Sequence, residues 1–174
     1  IVEKEFNQGL AAALNSGLMV CENEWIARMD ADDISANERF EKQVEYISIH
    51  PKISVVGTCI SEFEENEKLL IRKRIVPAEH SDICIMAKTR NPVNHVSVMM
   101  KKDAVIKIGG YNENFGTLED YKLWLDLILH GYKFHNLPEC LVKVRIGNGF
   151  ISRRSDKRSI DDWSKIQEYM VLHK

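Results

Sequence analysis

Glu24-Trp25-Ile26-Ala27-Arg28-Met29-Asp30-Ala31-Asp32-Asp33 is the stretch on which the reading of this chain turns. An apolar-rich run stops at three carboxylates. Trp25, Ile26 and Met29 suit a strand covered on both faces, as in a parallel sheet, and predict a strand ending at Asp30. The carboxylates then fall at the strand's carboxyl end, where ligands bind in open α/β sheets. Negative charges so close repel one another unless something positive sits among them. A divalent cation held by oxygen ligands, with substrate phosphates completing its shell, meets that need. Arg28 sets a cation at the edge of the same strand, within reach of a phosphate. A plainer role competes, in which Asp33 or Ser35 caps the next helix.

The composition is that of one ordinary domain. The chain has 174 residues, 44% of them hydrophobic and 29% charged, which suffices for a core of its own. A net charge of −2 argues against a nucleic-acid binder, which would carry a basic face. No apolar run approaches the roughly 20 residues that span a bilayer. Ile1-Val2-Glu3-Lys4-Glu5 holds acidic residues where a secretory signal is basic, so a cytoplasmic location is expected. Cys21, Cys59, Cys84 and Cys140 are scattered, which suits neither a zinc site nor a disulfide framework; free thiols are expected. The chain opens without Met, in helix-like sequence, and is expected to be a piece of something longer.

Periodicity fills in the rest. Phe6, Leu10, Leu14 and Leu18 predict a helix over 3–18. Ser35 and Glu38 match a capping box opening a second helix through Phe40, Val44 and Ile47, stopped by Pro51. The β-branched run 53–63 reads as a strand, with 69–76 returning antiparallel to it. A helix over 80–87, a strand over 96–100 and a short helix over 102–108 closed by Gly109-Gly110 come next. A strong helix over 118–130, a strand over 133–146 broken at Pro138, and a helix from 156 with Trp163, Ile166, Tyr169 and Met170 complete the chain. No repeat or linker divides 1–174.

Gly116-Thr117-Leu118-Glu119-Asp120-Tyr121 is the second informative stretch. With Thr117 as cap, Glu119 and Asp120 sit in the first turn of a helix, where the dipole favours negative charge. Helix stabilisation alone explains such residues. The alternative is chemical: moving a group onto an acceptor hydroxyl requires a base, and a carboxylate in hydrogen-bond reach serves.

Taken together these stretches resemble the inverting, family 2 glycosyltransferases of the GT-A fold. The resemblance runs from Asn7-Gln8-Gly9-Leu10 and Ala13-Leu14-Asn15 through Ile26 to Asp33 and Arg39-Phe40. It continues in Val55-Val56-Gly57, Asn91-Pro92 with His95, Gly109-Gly110-Tyr111 and Glu119-Asp120-Tyr121 with Leu123-Trp124-Leu125. It implies a Rossmann-like, three-layer α/β/α mixed sheet, here truncated at its N-terminal side, because the nucleotide-binding strand with its Pro-x-Tyr-Asn-like segment is absent. It also implies that Asp30 and Asp32, with Asp33 a substitute, bind Mn2+ or Mg2+ and the nucleotide-sugar beside Arg28, and that His95 stands near the acceptor or donor pocket, a core or loop histidine bonded to backbone being its plainer role. Asp120 becomes the base and Glu119 its neighbour.

This sequence departs from relatives in two places. Arg145-Ile146-Gly147 stands where many carry Arg-x-His, leaving Arg153 and Arg154 as cations for the diphosphate. Asp126 stands where Arg is frequent. The implied partners are a nucleotide-sugar and a glycan or lipid-linked acceptor, in bacterial polysaccharide assembly, at the inner face of the membrane. Peripheral membrane association and self-association through apolar surface are further expectations. The fragment itself is expected to be weakly active or inactive. Two other readings stay open: a degenerate GT-A module that binds a partner or glycan without catalysis, and a sugar-phosphate nucleotidyltransferase.

Overall fold

Val55 and Val56 are neighbours on one strand, and both are completely buried, on opposite faces. Val55 joins a cluster that includes Leu18, Val105, Trp124, Leu127 and Phe134, whereas Val56 packs with Leu137, Leu141, Tyr46 and Ile47. Strand side chains alternate, so a strand buried residue after residue needs helices over both faces. The result is an α/β/α sandwich. The computed structural model describes residues 2–65, 69–147 and 157–172.

In chain order the elements are α1 (Leu10–Val20), β1 (Trp25–Ala27), β2 (Ile34–Ser35), α2 (Arg39–Ile49), β3 (Ile53–Phe63), β4 (Leu70–Arg74) and α3 (His80–Met86). Then come β5 (Met99–Lys101), α4 (Lys102–Lys107), α5 (Glu119–Leu129), β6 (Lys133–Arg145) and α6 (Lys157–Leu172), with 3-10 turns at His95–Ser97 and Glu113–Leu118. The sheet runs β1-β5-β3-β6-β2, and β4 pairs with β3 beyond β5. β3 is parallel to β6 along its length and antiparallel to β5 at Val55 and Val56, then to β4 from Ile60 to Phe63. One long buried strand thus carries the sheet, and its carboxyl half leads to the cleft.

Several local expectations give way to tertiary context. β1 is a three-residue strand, antiparallel to β5, half-buried, with its other edge unpaired among the described residues. The predicted strand to Asp30, buried in a parallel sheet, therefore stops early, and Met29 is exposed. The Ser35–Glu38 capping box does not form: Ser35 lies in β2 against Val142, and α2 begins at Arg39. Neither Asp33 nor Ser35 caps that helix. Residues 3–9 are not helical, because Gly9 has φ 91° and its N–H bonds Asn7 Oδ1 at 2.9 Å. Phe6, Leu10, Met19 and Val20 stay exposed on and beside α1. The four cysteines are free, Cys59 fully buried. No helix among the described residues is long and apolar enough to cross a membrane.

Candidate active site

The acidic turn is held from behind by a buried cation. Arg39 on α2 has no exposed surface, and burial lowers its pKa to about 10, so it stays charged at neutral pH. Its Nη2 donates to the carbonyls of Arg28 (2.9 Å) and Val98 (3.3 Å), and its Nε donates to Gln43 Oε1 (3.1 Å). Gln43 in turn donates to the carbonyls of Val56 and Ser97, both at 2.9 Å. Buried donors aimed at carbonyls fix the backbone that launches the turn. Asp33 N–H closes the turn on the carbonyl of Asp30 at 3.3 Å.

The three carboxylates then take different environments. Asp30, about half exposed, pairs with Arg28 Nη2 at 2.6 Å. Asp32 is exposed, and its carbonyl accepts from Arg145 Nε at 3.3 Å. Asp33 is buried; its Oδ1 accepts from Arg145 N–H at 3.0 Å and its Oδ2 has no partner among the described residues. Burial above all, with Asp30 and Asp32 alongside, raises the Asp33 pKa to about 6, against the pull of Arg145 N–H and Arg28.

The start of α5 is anchored more deeply. Leu123, Trp124 and Leu127 enter the main core, while Tyr121 and Leu125 pack under α6 against Ile166. Glu119 and Asp120 are thereby fixed in the first turn. Asp120 Oδ1 accepts from Tyr121 N–H and Oδ2 from Asn91 Nδ2, each at 2.7 Å. Burial raises the Asp120 pKa, opposed by those two donors and by the charges of Arg74 and Arg28. Asn91 is itself held: its Oδ1 accepts from Val93 N–H at 3.2 Å and its carbonyl from Arg74 Nη2 at 3.1 Å. Burial, then Asp120, raises Glu119 to about 7. Thr117 does not cap the helix: Leu118 holds the cap position, and both the N–H (3.0 Å) and the hydroxyl (3.4 Å) of Thr117 donate to Asp162 Oδ2 on α6. Gly116 allows that approach: at φ +51° a Cβ would stand 2.1 Å from the same oxygen.

His95 is buried, and its Nε2 lies 2.8 Å from the Tyr111 hydroxyl. Burial, then Arg28, pushes its pKa well down, leaving a neutral imidazole. Asn15 clamps Tyr111, donating to its carbonyl at 2.9 Å and accepting its N–H at 2.8 Å.

Both carboxylate groups face one cleft of about 1150 Å³. Arg28, Asp30, Asp32 and Asp33 line it, as do His95, Glu119 and Asp120, which are far from them in sequence. Arg28 is the common neighbour, its charge acting on Asp33, His95, Glu119 and Asp120. Arg153 and Arg154 lie outside the described residues. Residues assigned no role from the sequence also line the cleft: Lys73 and Arg74 on β4, Arg90, Asn91, Arg145 and Trp163. Asn91 was visible within Asn91-Pro92, Arg145 within Arg145-Ile146-Gly147 and Trp163 within the predicted last helix; Lys73, Arg74 and Arg90 carried no pattern of their own.

Among the described residues no three His, Cys, Asp or Glu side chains converge closely enough to hold a cation by themselves. A cation bridging a diphosphate needs only one or two protein carboxylates, the phosphates and water supplying the rest. Asp32 fits that use with an exposed carboxylate, and Asp30 fits it through its second oxygen, Oδ1 being paired with Arg28 at 2.6 Å. Asp33 fits it less well, one oxygen being committed to Arg145.

The fold and the two-ended acidic cleft define a GT-A-type α/β domain. Residues 1–109 match the family profile described as glycosyl transferase family 2. The chain is 38% identical over its whole length to the amylovoran biosynthesis glycosyltransferase AmsE of Erwinia amylovora, covering 62% of that protein. It is 36% identical over 152 residues to the UDP-Gal:alpha-D-GlcNAc-diphosphoundecaprenol beta-1,3-galactosyltransferase of Escherichia coli, covering 86% of this chain and 54% of that one. The chain belongs to glycosyl transferase family 2. It spans between about half and two thirds of the length of these relatives. Among solved structures, S. aureus TarS 1–349 superposes with a TM-score of 0.68 at 14% identity, covering 98% of this chain and 46% of that one. A mannosyltransferase from Pyrobaculum calidifontis, in complex with GDP-Man and Mn2+, gives 0.67 at 15%, with the same coverage.

Proposed function

We propose that the protein carrying this chain transfers a sugar from a nucleoside-diphosphate sugar to an acceptor hydroxyl, inverting the anomeric carbon. The observation that supports this most is the placement of a clamped carboxylate, Asp120, across one cleft from Asp30, Asp32 and Arg28. Asp120 takes the proton of the acceptor hydroxyl as its oxygen bonds to the anomeric carbon. The bond from that carbon to the diphosphate oxygen breaks on the opposite side. Each oxygen of Asp120 already accepts one hydrogen bond, which sets its direction and leaves a lone pair for the substrate. Arg28, which lines the cleft, would meet the diphosphate; the proposal extends that role to Arg153 and Arg154 as cations of the same sequence. Asp30 and Asp32 would hold Mn2+ or Mg2+, which when bound neutralises charge on the departing nucleoside diphosphate. Glu119 and His95 keep the pocket dry and shaped around Asp120.

The relatives' names support a place in polysaccharide assembly with a glycan or lipid-linked acceptor; action at the inner face of the membrane belongs to the same proposal. The test is product analysis. Supplied with nucleoside-diphosphate sugars, Mn2+ and acceptor, the protein should release nucleoside diphosphate and form a linkage of inverted configuration by NMR. Release of pyrophosphate would mean nucleotidyl transfer instead. Absence of metal-dependent nucleoside diphosphate binding by calorimetry would mean a non-catalytic module.

A further inference from the structure

Asn15, Gly110-Tyr111 and His95 lie far apart in sequence and meet behind one wall of the cleft. Gly110 has φ +76°, and a Cβ there would stand 2.6 Å from Asn15 Oδ1, so glycine lets Asn15 close on the Tyr111 backbone. That clamp fixes Tyr111, 3% exposed, with its hydroxyl against His95 Nε2. The turn His95–Ser97 is tied to β3: Asn94 Nδ2 donates to the Thr58 carbonyl at 2.8 Å, and Ser97 N–H to the Asn94 carbonyl at 2.9 Å. Trp124 meets the imidazole in a T-shaped contact, the ring centroids 5.8 Å apart. The ring is thus held from two sides.

A buried hydroxyl needs an acceptor for its proton. Burial, opposed by Arg28 and assisted by Asp120 and Glu119, keeps the Tyr111 hydroxyl protonated. Its partner among the described residues is His95 Nε2. A protonated Nε2 would leave the tyrosine proton without an acceptor. The satisfied arrangement has Tyr111 O–H donating to a bare Nε2, and a neutral imidazole then carries its one proton on Nδ1. No hydrogen bond among the described residues uses that Nδ1, and His95 lines the cleft.

Position narrows what this N–H meets. The charge of Arg28 acts on both His95 and Tyr111, and that of Asp120 acts on Tyr111. With Arg28 meeting the diphosphate and Asp120 the acceptor hydroxyl, the sugar in transit lies between them, beside the histidine. A neutral N–H in a dry wall suits an uncharged oxygen, whereas a phosphate is better met by Arg28.

We propose that His95 is a specificity-determining residue whose Nδ1–H donates to a hydroxyl of the transferred sugar, with Tyr111 and Asn15 as positioning residues that fix its tautomer. The choice of a sugar hydroxyl rests on the glycosyl-transfer reading; the tautomer does not.

Nitrogen-15 NMR of labelled histidine, in the protein carrying this chain, reports which ring nitrogen holds the proton. At neutral pH His95 should show a protonated Nδ1 and a bare Nε2. Tyr111→Phe, which removes one oxygen, should abolish that fixed pattern. A protonated Nε2 in the parent overturns the proposal, as does a pattern indifferent to Tyr111→Phe. UDP-galactose, UDP-N-acetylglucosamine and GDP-mannose are then each compared, with Mg2+, against the free nucleoside diphosphate. At least one should shift the Nδ1–H resonance where the nucleoside diphosphate does not; if they bind and none does, His95 touches no sugar and the proposal fails. In transfer assays, the donor analogue lacking the contacted hydroxyl should lose roughly tenfold in kcat/KM, the worth of one hydrogen bond. His95→Asn, whose amide also stands at the δ position, should keep most of that penalty. His95→Gln should erase it, and an undiminished penalty in that variant overturns the proposal. A fixed tautomer without any sugar transfer sinks the glycosyl-transfer reading, and the Nδ1–H shift still decides the contact.

Discussion

Two acidic regions share one cleft and are built in opposite ways. The turn at Asp30–Asp33 is open: two of its three carboxylates reach solvent, and its fixed points are backbone carbonyls held by Arg39 and Arg145. The start of α5 is closed. Asp120 receives donors on both oxygens, and Glu119 is buried beside it. An open carboxylate keeps its charge and lone pairs for an incoming cation or phosphate, at little desolvation cost. A dehydrated, clamped one gains basicity and direction. A count of acidic residues would hide that division; their surroundings make it.

The sharpest way to break the comparison is to neutralise one residue from each side. Asp120→Asn should reduce kcat by about 10²–10⁴-fold, the usual worth of a general base, with donor KM little changed. Asp32→Asn should instead raise the Mn2+ concentration needed for half-maximal rate. If both variants move the same parameter, the division of labour is wrong. Next in size is Asn91→Ala. Its side-chain N–H favours the ionised form of Asp120, so removing it moves the acidic limb of the kcat/KM profile to higher pH and lowers kcat about tenfold. Unchanged pH dependence would make Asn91 a packing residue only.

Two smaller effects concern the scaffold. Gly116→Ala adds a Cβ at positive φ against Asp162 and should cost roughly 1–3 kcal/mol in urea unfolding. It should loosen α6 without touching the acidic turn. The pH dependence of stability sharpens the contrast further. Burial raises Glu119 from 4.5 to about 7, so the folded chain holds this proton more tightly than the unfolded chain does. That contribution is fully present below pH 4.5 and disappears as pH rises through 7. Glu119→Gln should flatten the fall in melting temperature across that window.

Much of this was legible locally. The run 53–63 reads as a strand and is β3 to the residue, because β-branched side chains buried on both faces leave no other period. The hairpin to β4, the two carboxylates in the first turn of α5 and the stop at Gly109-Gly110 follow from equally local chemistry. β1 was misjudged because three apolar residues cannot tell a buried parallel strand from a half-covered antiparallel one. Ser35 and Glu38 matched a capping pattern, yet pairing with β6 drew Ser35 into the sheet. Arg74 and Asn91 act on Asp120 through contacts 29 or more residues distant, and no sequence period records such a meeting.

What the sequence alone determined is the chemistry available: three aspartates after a strand, an acidic pair opening a helix, and a cation at Arg28. These follow from residue type and near-neighbour spacing, on which backbone preference depends. Only the tertiary structure decided which carboxylate is open and which is clamped, and that both look into one cleft. Burial, long-range hydrogen bonds and the sum of nearby charges belong to the packed chain, and they set a carboxylate's proton affinity.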